Sequence, residues 1–257
     1  MSEAIYIATS GAIAQEMRLG MISNNLSNIG TTGFKEDQSL FEALLAGSEN
    51  DFKEKNKNND NGMIQNIYFP SNYHVRFIGS RTNFGQGQIR KTGNILDFAL
   101  SGEGFFEVTT PQGLRYSRNG NFKLSKDGVL ITQEGNSVMG KNGEIKIDGR
   151  DITVDLEGNI SVDGKQVGSL KIVDFEKPYH LDKIGENYFV KNDETNTGKS
   201  TENIEVNQGY LELSNVNAVK SLTEMIEVLR AYESYQKAIQ SMDEMTSKAI
   251  NEVGKLV

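Results

Sequence analysis

The chain has no cysteine, no tryptophan, three prolines and two histidines in 257 residues. Without cysteine it can form no disulfide and run no thiolate chemistry, which suits any compartment, an oxidising one included. His74 and His180 lie in different segments, so no local histidine pair offers a zinc site. Both are expected to be surface or packing residues. No run approaches the roughly 18 consecutive apolar residues of a membrane-spanning helix, so no span is expected. The first residues, Met1-Ser2-Glu3-Ala4-Ile5-Tyr6, lack a basic region and a continuous apolar run, so no Sec-type signal peptide is expected. Positive charge is also in deficit. The net charge is -8 and the pI about 5.0, the wrong field for a nucleic-acid partner.

What the chain does have is a long amphipathic pattern at each end. Ile5, Ala8, Ala12, Gln15, Leu19, Ile22, Leu26 and Ile29 alternate spacings of three and four, and only Gln15 is polar. Val228, Tyr232, Tyr235, Ile239, Met242, Thr246, Ala249, Val253 and Leu256 do the same, with Thr246 the polar exception. Each pattern predicts a helix with one apolar seam packing along its length against other helices. The first helix is expected over residues 2–29, where Asn24, Asn25, Asn28, Gly30 and Gly33 stop it. The second is expected from Asn217 to Leu256, with Ser214, Asn215 and Asn217 as candidate caps and Ser221 with Glu224 at capping-box spacing. So long a helix has too little partner surface within its own chain, and its remaining stripe is expected to face other subunits.

Between the ends the period changes. From about residue 88 to 190 short runs such as Phe105-Phe106-Glu107-Val108 and Val129-Leu130-Ile131-Thr132 are separated by Asn119-Gly120, Asp127-Gly128, Asn142-Gly143, Asp148-Gly149 and Asp163-Gly164. That predicts many short antiparallel strands joined by tight turns in a compact β domain, able to fold without the helices. Leu40, Phe41, Leu44 and Leu45 predict a short packed segment. Residues 47–62, GSENDFKEKNKNNDNG, predict a surface loop. The fold class is α+β: terminal helices at 1–35 and 210–257, linkers at 36–87 and 191–209, and a β domain at 88–190.

No catalytic, cofactor or metal motif is complete. Gly85-Gln86-Gly87 and Gly102-Glu103-Gly104 finish neither a dinucleotide fingerprint nor a P-loop. Asp155, Glu157 and Asn159 have the wrong spacing for an EF-hand and predict a hairpin turn. Carboxylates abound, but nothing marks one pair as an acid–base couple.

Four blocks resemble the bacterial flagellar rod and hook family. Ser23-Asn24-Asn25-Leu26-Ser27-Asn28-Ile29-Gly30-Thr31-Thr32-Gly33-Phe34-Lys35 is similar to its N-terminal signature. Gly93 through Phe106, GNILDFALSGEGFF, resembles its T-G-N-x-L-D segment, and Tyr116-Ser117-Arg118-Asn119-Gly120-Asn121-Phe122 its Y-T-R-x-G-x-F segment. Gly209 through Asn217, with Met225-Ile226 and Arg230-Ala231-Tyr232-Glu233, resembles its C-terminal signature. The resemblance implies a structural axial subunit with no enzymatic activity and no cofactor. It implies a coiled-coil domain from both termini, an outer β domain, passage through the flagellar type III export apparatus without a cleaved signal, and assembly in the periplasm. Its partners would be other copies of the chain and neighbouring rod proteins, with no nucleic acid. The assembly interface is then expected at Ile5, Ala8, Ala12, Leu19, Ile22, Asn24, Asn25, Leu26, Ile29, Val228, Tyr232, Tyr235, Ile239, Met242, Ala249 and Val253. Gly33, Phe34, Gly102, Gly104 and Asn215 are expected to shape the motif turns. The tail from Tyr232 to Ile239 and from Lys248 to Gly254 resembles the proximal-rod form more than the distal-rod form. A trimeric fibre-like binding module and a hydrolase with helical appendages remain the readings from other classes.

Overall fold

The computed structural model describes residues 2–44, 74–175, 181–192, 198–200 and 204–253. Leu45, residues 47–62, His180 and Leu256 lie outside these. Helix α1 runs Ser2–Ser27 and helix α2 runs Ala218–Val253, about 39 and 54 Å at about 1.5 Å per residue. The described elements between them are strands, so the class is α+β.

Both helix boundaries have local causes. The expected end at Ile29 is too late. The Thr31 amide and hydroxyl both bond to Asn28, at 3.1 and 3.2 Å, and turn the chain away after Ser27. Helix α2 begins directly after Asn217. Ser221, expected in a capping box, instead lies buried inside the helix.

The chain divides into two compact units. The helical unit takes residues 1–26, 37–81 and 218–257. In it β1, Asp37–Leu44, pairs with β2, His74–Thr82. The segment around Leu40 is thus a strand rather than linker, and Leu40 is exposed. Helix α1 meets α2 at Gly11, where an added methyl would stand 2.5 Å from the Tyr235 ring.

The β unit takes residues 27–36 and 82–217. Its strands are β3 Ile89–Lys91, β4 Phe98–Ser101, β5 Phe105–Thr110, β6 Gly113–Ser117, β7 Phe122–Leu124, β8 Leu130–Thr132 and β9 Ser137–Gly140. There follow β10 Gly143–Glu144, β11 Ile152–Val154, β12 Asn159–Val162, β13 Lys165–Ser169, β14 Ile172–Asp174, β15 Leu181–Lys183 and β16 Tyr188–Lys191. The last are β17 Lys199–Ser200, β18 Glu205–Gln208 and β19 Tyr210–Glu212. The main sheet runs β15-β16-β6-β5-β9-β8-β7, with β14 against β5, β17 against β14 and β10 against β9. A three-stranded sheet, β11-β12-β13, is antiparallel throughout. The strand pairs described are all antiparallel, as short hairpins require.

Two apolar clusters hold this unit. The larger includes Phe98, Leu100, Phe106, Phe122, Leu130, Ile160, Leu170 and Val206. The smaller packs Phe105, Tyr116, Phe175, Leu181 and Phe189, with Phe84 against it. Phe84 and Val206 lie outside the expected 88–190 domain. So do β18 and β19, which pair with β4 and β3. The boundaries therefore shift: the described parts of 82–87 and 191–217, and the turn 27–36, belong to the β unit rather than to linkers or helices. The physical reason is pairing. β3 and β4 have no other strand partner in the ladders described, and β18 and β19 supply it.

Candidate functional site: helix faces and a buried charge centre

Helix α1 is rich in small residues, and Ala8, Ser10, Gly11, Ala12 and Ala14 are buried along it. Of the expected interface residues here, Ala8, Ala12, Ile22 and Asn25 are buried, and Ile5, Leu19 and Leu26 are half-buried. Asn24 and Ile29 are exposed. The side-chain oxygen of Gln15, the polar break in the row, is buried without a hydrogen-bond partner.

On α2 the expected row is Val228, which is buried, then Tyr232, Tyr235, Ile239 and Met242, which are half-buried. Ala249 is exposed, and Val253 is the last described helical residue. A second row went unrecognised in the sequence. Val219, Leu222, Ile226 and Leu229 are all exposed, Val219 at 74%. At about 100° per residue Val219 and Ile226 lie roughly 160–180° around the helix from Val228, and Leu222 and Leu229 roughly 100–120°. The first turns of α2 are therefore apolar on two faces. The signal was in the spacing, but the longer Val228 row was assigned the whole helix.

The motif blocks serve a different purpose. Three of the four blocks that carry the resemblance converge, within the β unit, on one carboxylate. Lys35 Nζ donates to Glu212 Oε1 at 2.6 Å, and Arg118 Nη1 donates to Glu212 Oε2 at 3.3 Å. The Gly87 amide donates to Glu212 Oε1 at 2.8 Å. The side chains of Lys35, Arg118 and Glu212 are 1%, 4% and 0% exposed. Lys35 Nζ also donates to the Gly85 carbonyl at 2.9 Å, and Arg118 Nη2 to the Gly102 carbonyl at 2.7 Å. Arg118 Nε has no partner. Burial pulls the Lys35 ammonium below its ordinary pKa, and the Glu212 charge pulls it part of the way back. Burial likewise lowers Arg118, against Glu212. Taking these cations out of water thus costs more than the one carboxylate returns.

The expected turn residues frame this centre. Gly33 has φ +69°, and a methyl there would stand 2.4 Å from the Asn119 nitrogen. Its amide donates to the Glu212 carbonyl at 2.8 Å. Phe34 is buried, with the Lys183 ammonium 3.6 Å from its ring centroid. Gly102 supplies the carbonyl under Arg118. At Gly104 a side chain would strike Ile204 and Ile172. Asn215 caps no helix: it accepts from the Glu36 amide at 2.7 Å and donates to the Asn83 and Gly85 carbonyls at 2.8 and 2.9 Å.

Nothing in composition or periodicity singled out Lys35, Arg118 and Glu212 among 27 basic and 35 acidic residues. The signal that could have found them is their position inside the resemblance blocks. Among the described residues no group of three or more His, Asp or Glu is placed to hold a metal. The Asp155 turn is a hairpin, in which the Asp155 carboxylate accepts from the Glu157 and Asn159 amides at 3.0 and 2.8 Å.

Comparison with known proteins accords with this layout. A family described as flagella basal body rod protein matches residues 5–35. The flagellar hook protein FlgE/F/G D1 domain matches 99–162, and the flagellar basal body rod FlgEFG protein C-terminal region matches 207–252. The flagellar basal-body rod protein FlgG of Buchnera aphidicola subsp. Schizaphis graminum is 31% identical over 96% of this chain and 98% of its own. FlgG of Agrobacterium fabrum is 34% identical over 95% and 97%. The flagellar basal-body rod protein FlgF of Caulobacter vibrioides is 32% identical over the whole of both chains. The chain therefore belongs to the flagellar basal-body rod family and is a structural protein of the basal body, not an enzyme.

Proposed function

We propose that the chain is an axial subunit that polymerises through its terminal helices, paired as a coiled coil, into the periplasmic shaft of the basal body. One observation carries this. The first turns of α2 are apolar on two faces, with Val228 buried and Val219, Leu222, Ile226 and Leu229 exposed. A helix apolar on two sides needs neighbours on two sides. Subunits that share such faces head to tail meet through contacts that do not close, and these build tubes. The partners are other copies of the chain and neighbouring rod proteins. The flagellar type III export apparatus is the proposed route out of the cell, with no cleaved signal. The interface takes in the row from Ile5 to Leu26 and that from Val228 to Val253.

Within the rod we assign the proximal segment, on the tail from Tyr232 to Ile239. Relatives named FlgG and FlgF match at nearly the same identity, so the tail alone supports the finer assignment. The distal segment is the alternative.

The test is a double substitution, Leu222→Asp with Ile226→Asp, in cells lacking the native copy. The exposed row tolerates charge in the free subunit, so its melting should shift by no more than about 0.5 kcal/mol. Motility and basal-body rods should be lost, because each subunit would bury unpaired carboxylates. Wild-type motility would remove this face from the assembly. Cryo-electron microscopy of basal bodies carrying a tagged chain places the subunit along the rod; density at the distal end overturns the proximal assignment.

A further inference from the structure

Glu212 stands 177 residues after Lys35 in the chain. It is the acidic partner of two cations that are otherwise held by single carbonyls, those of Gly85 and Gly102. Lys35 lies in the crossing that follows α1, and Glu212 in the crossing that precedes α2. If the first crossing docked alone, Lys35 and Arg118 would be buried side by side without Glu212, leaving Arg118 only the weaker pull of Asp174 and Glu103. If the second docked alone, the Glu212 carbonyl would lose the Gly33 amide and the Asn215 side chain would lose the Glu36 amide. Phe34 would lose the Asn215 amide that its carbonyl accepts at 3.4 Å. Each half-docked state therefore strands buried charges or polar groups.

We propose that residues 31–36 and 205–215 close onto the rest of the β unit in one cooperative step gated by the Glu212 carboxylate, so that neither segment is fixed before the other. A chain that has not yet delivered residue 212 then keeps its first crossing open, and the β unit closes only when the chain is nearly complete. The charge centre is thus a latch that makes the closure of the two segments all-or-none.

Hydrogen exchange on the full chain in mild denaturant tests this. The Phe34 amide is the reporter for the first crossing, since its acceptor, Thr31, lies in the same crossing. The Val206 and Gly209 amides, bonded to Leu156 and Asp97, report the second. The expected result is one common opening free energy and one common denaturant slope for all of them. Separate openings for Phe34 and Val206 overturn the latch.

A charge rescue covers the case in which every amide opens in one global event. Glu212→Gln should speed Phe34 exchange by at least about a hundredfold. Adding Lys35→Met should recover much of that protection, because it removes a stranded cation. A loss of hydrogen bonds alone would be deepened, not relieved, by the second change. Should Glu212→Gln fail to fold, a folded double variant supports the latch, and an unfolded one overturns it.

Discussion

Asn25 spends both ends of its side-chain amide on the backbone of Asp37. Its Nδ2 donates to the Asp37 carbonyl at 2.8 Å, and its Oδ1 accepts from the Asp37 amide at 3.0 Å. Asn25 is 4% exposed, so the side chain acts as a one-residue strand partner for the start of β1. Of the asparagines that crowd the end of α1, this is the buried one, while Asn24 faces solvent. Asn25→Ala should therefore cost about 1–3 kcal/mol, because two part-buried backbone groups of Asp37 lose their partners. Asn24→Ala should change stability by no more than about 0.5 kcal/mol. Chemical denaturation of both variants checks the difference, and equal losses would remove the special role of Asn25.

Gly33 is expected to accept no substitution cheaply. Alanine there meets both a left-handed φ and the backbone of Arg118 and Asn119. Gly33→Ala should lower stability by at least about 1–3 kcal/mol. Gly135, also at positive φ but with open space around it, should lose less on the same change. Thermal melts of the two variants decide; comparable losses would mean that backbone conformation, not the close approach, sets the penalty.

The strand-rich stretch 88–190 should not fold by itself. It lacks Val206 from the core and both partners of β3 and β4. It also lacks Phe34 and Lys35, which are buried in the β unit. The expected circular dichroism of this fragment is that of an unfolded chain, whereas residues 27–217 should give a β spectrum. A cooperative melt from the shorter fragment would show that the added strands are accessory.

Alkaline pH should weaken the β unit through two phenols. Burial raises Tyr116 above 10.0, and the Glu107 charge adds to it. Burial also raises Tyr188, against bonds from Thr132 and Asn136 that pull it down. A group raised in the folded state keeps its contribution below the unfolded value near 10.0 and loses it as pH climbs through the folded value. Stability should therefore fall above about pH 10, with a step of phenolate absorbance accompanying unfolding. Lys35 has the opposite sign: its folded pKa is lowered, so it favours the folded state as pH rises toward 10.5. Tyr188→Phe should cost about 1–2 kcal/mol at neutral pH, since Glu134 loses a donor and Asn136 an acceptor. It should also flatten the alkaline decline; an unchanged decline would clear Tyr188 of it.

The sequence by itself determined the two helices, the antiparallel strands between them, the turn at Gly33 and, through its motif blocks, the family. These are local properties. A period near 3.6, an Asp-Gly pair or a left-handed glycine is written in neighbouring residues. What it could not determine was which distant residues complete which unit. That β18 closes on β4 and that Asn215 abandons the role of helix cap to tie Glu36 were decided by the tertiary structure. The Lys35–Glu212–Arg118 centre shows why. Its three charges look like any others on an acidic chain, and only burial without water turns them into mutual obligations.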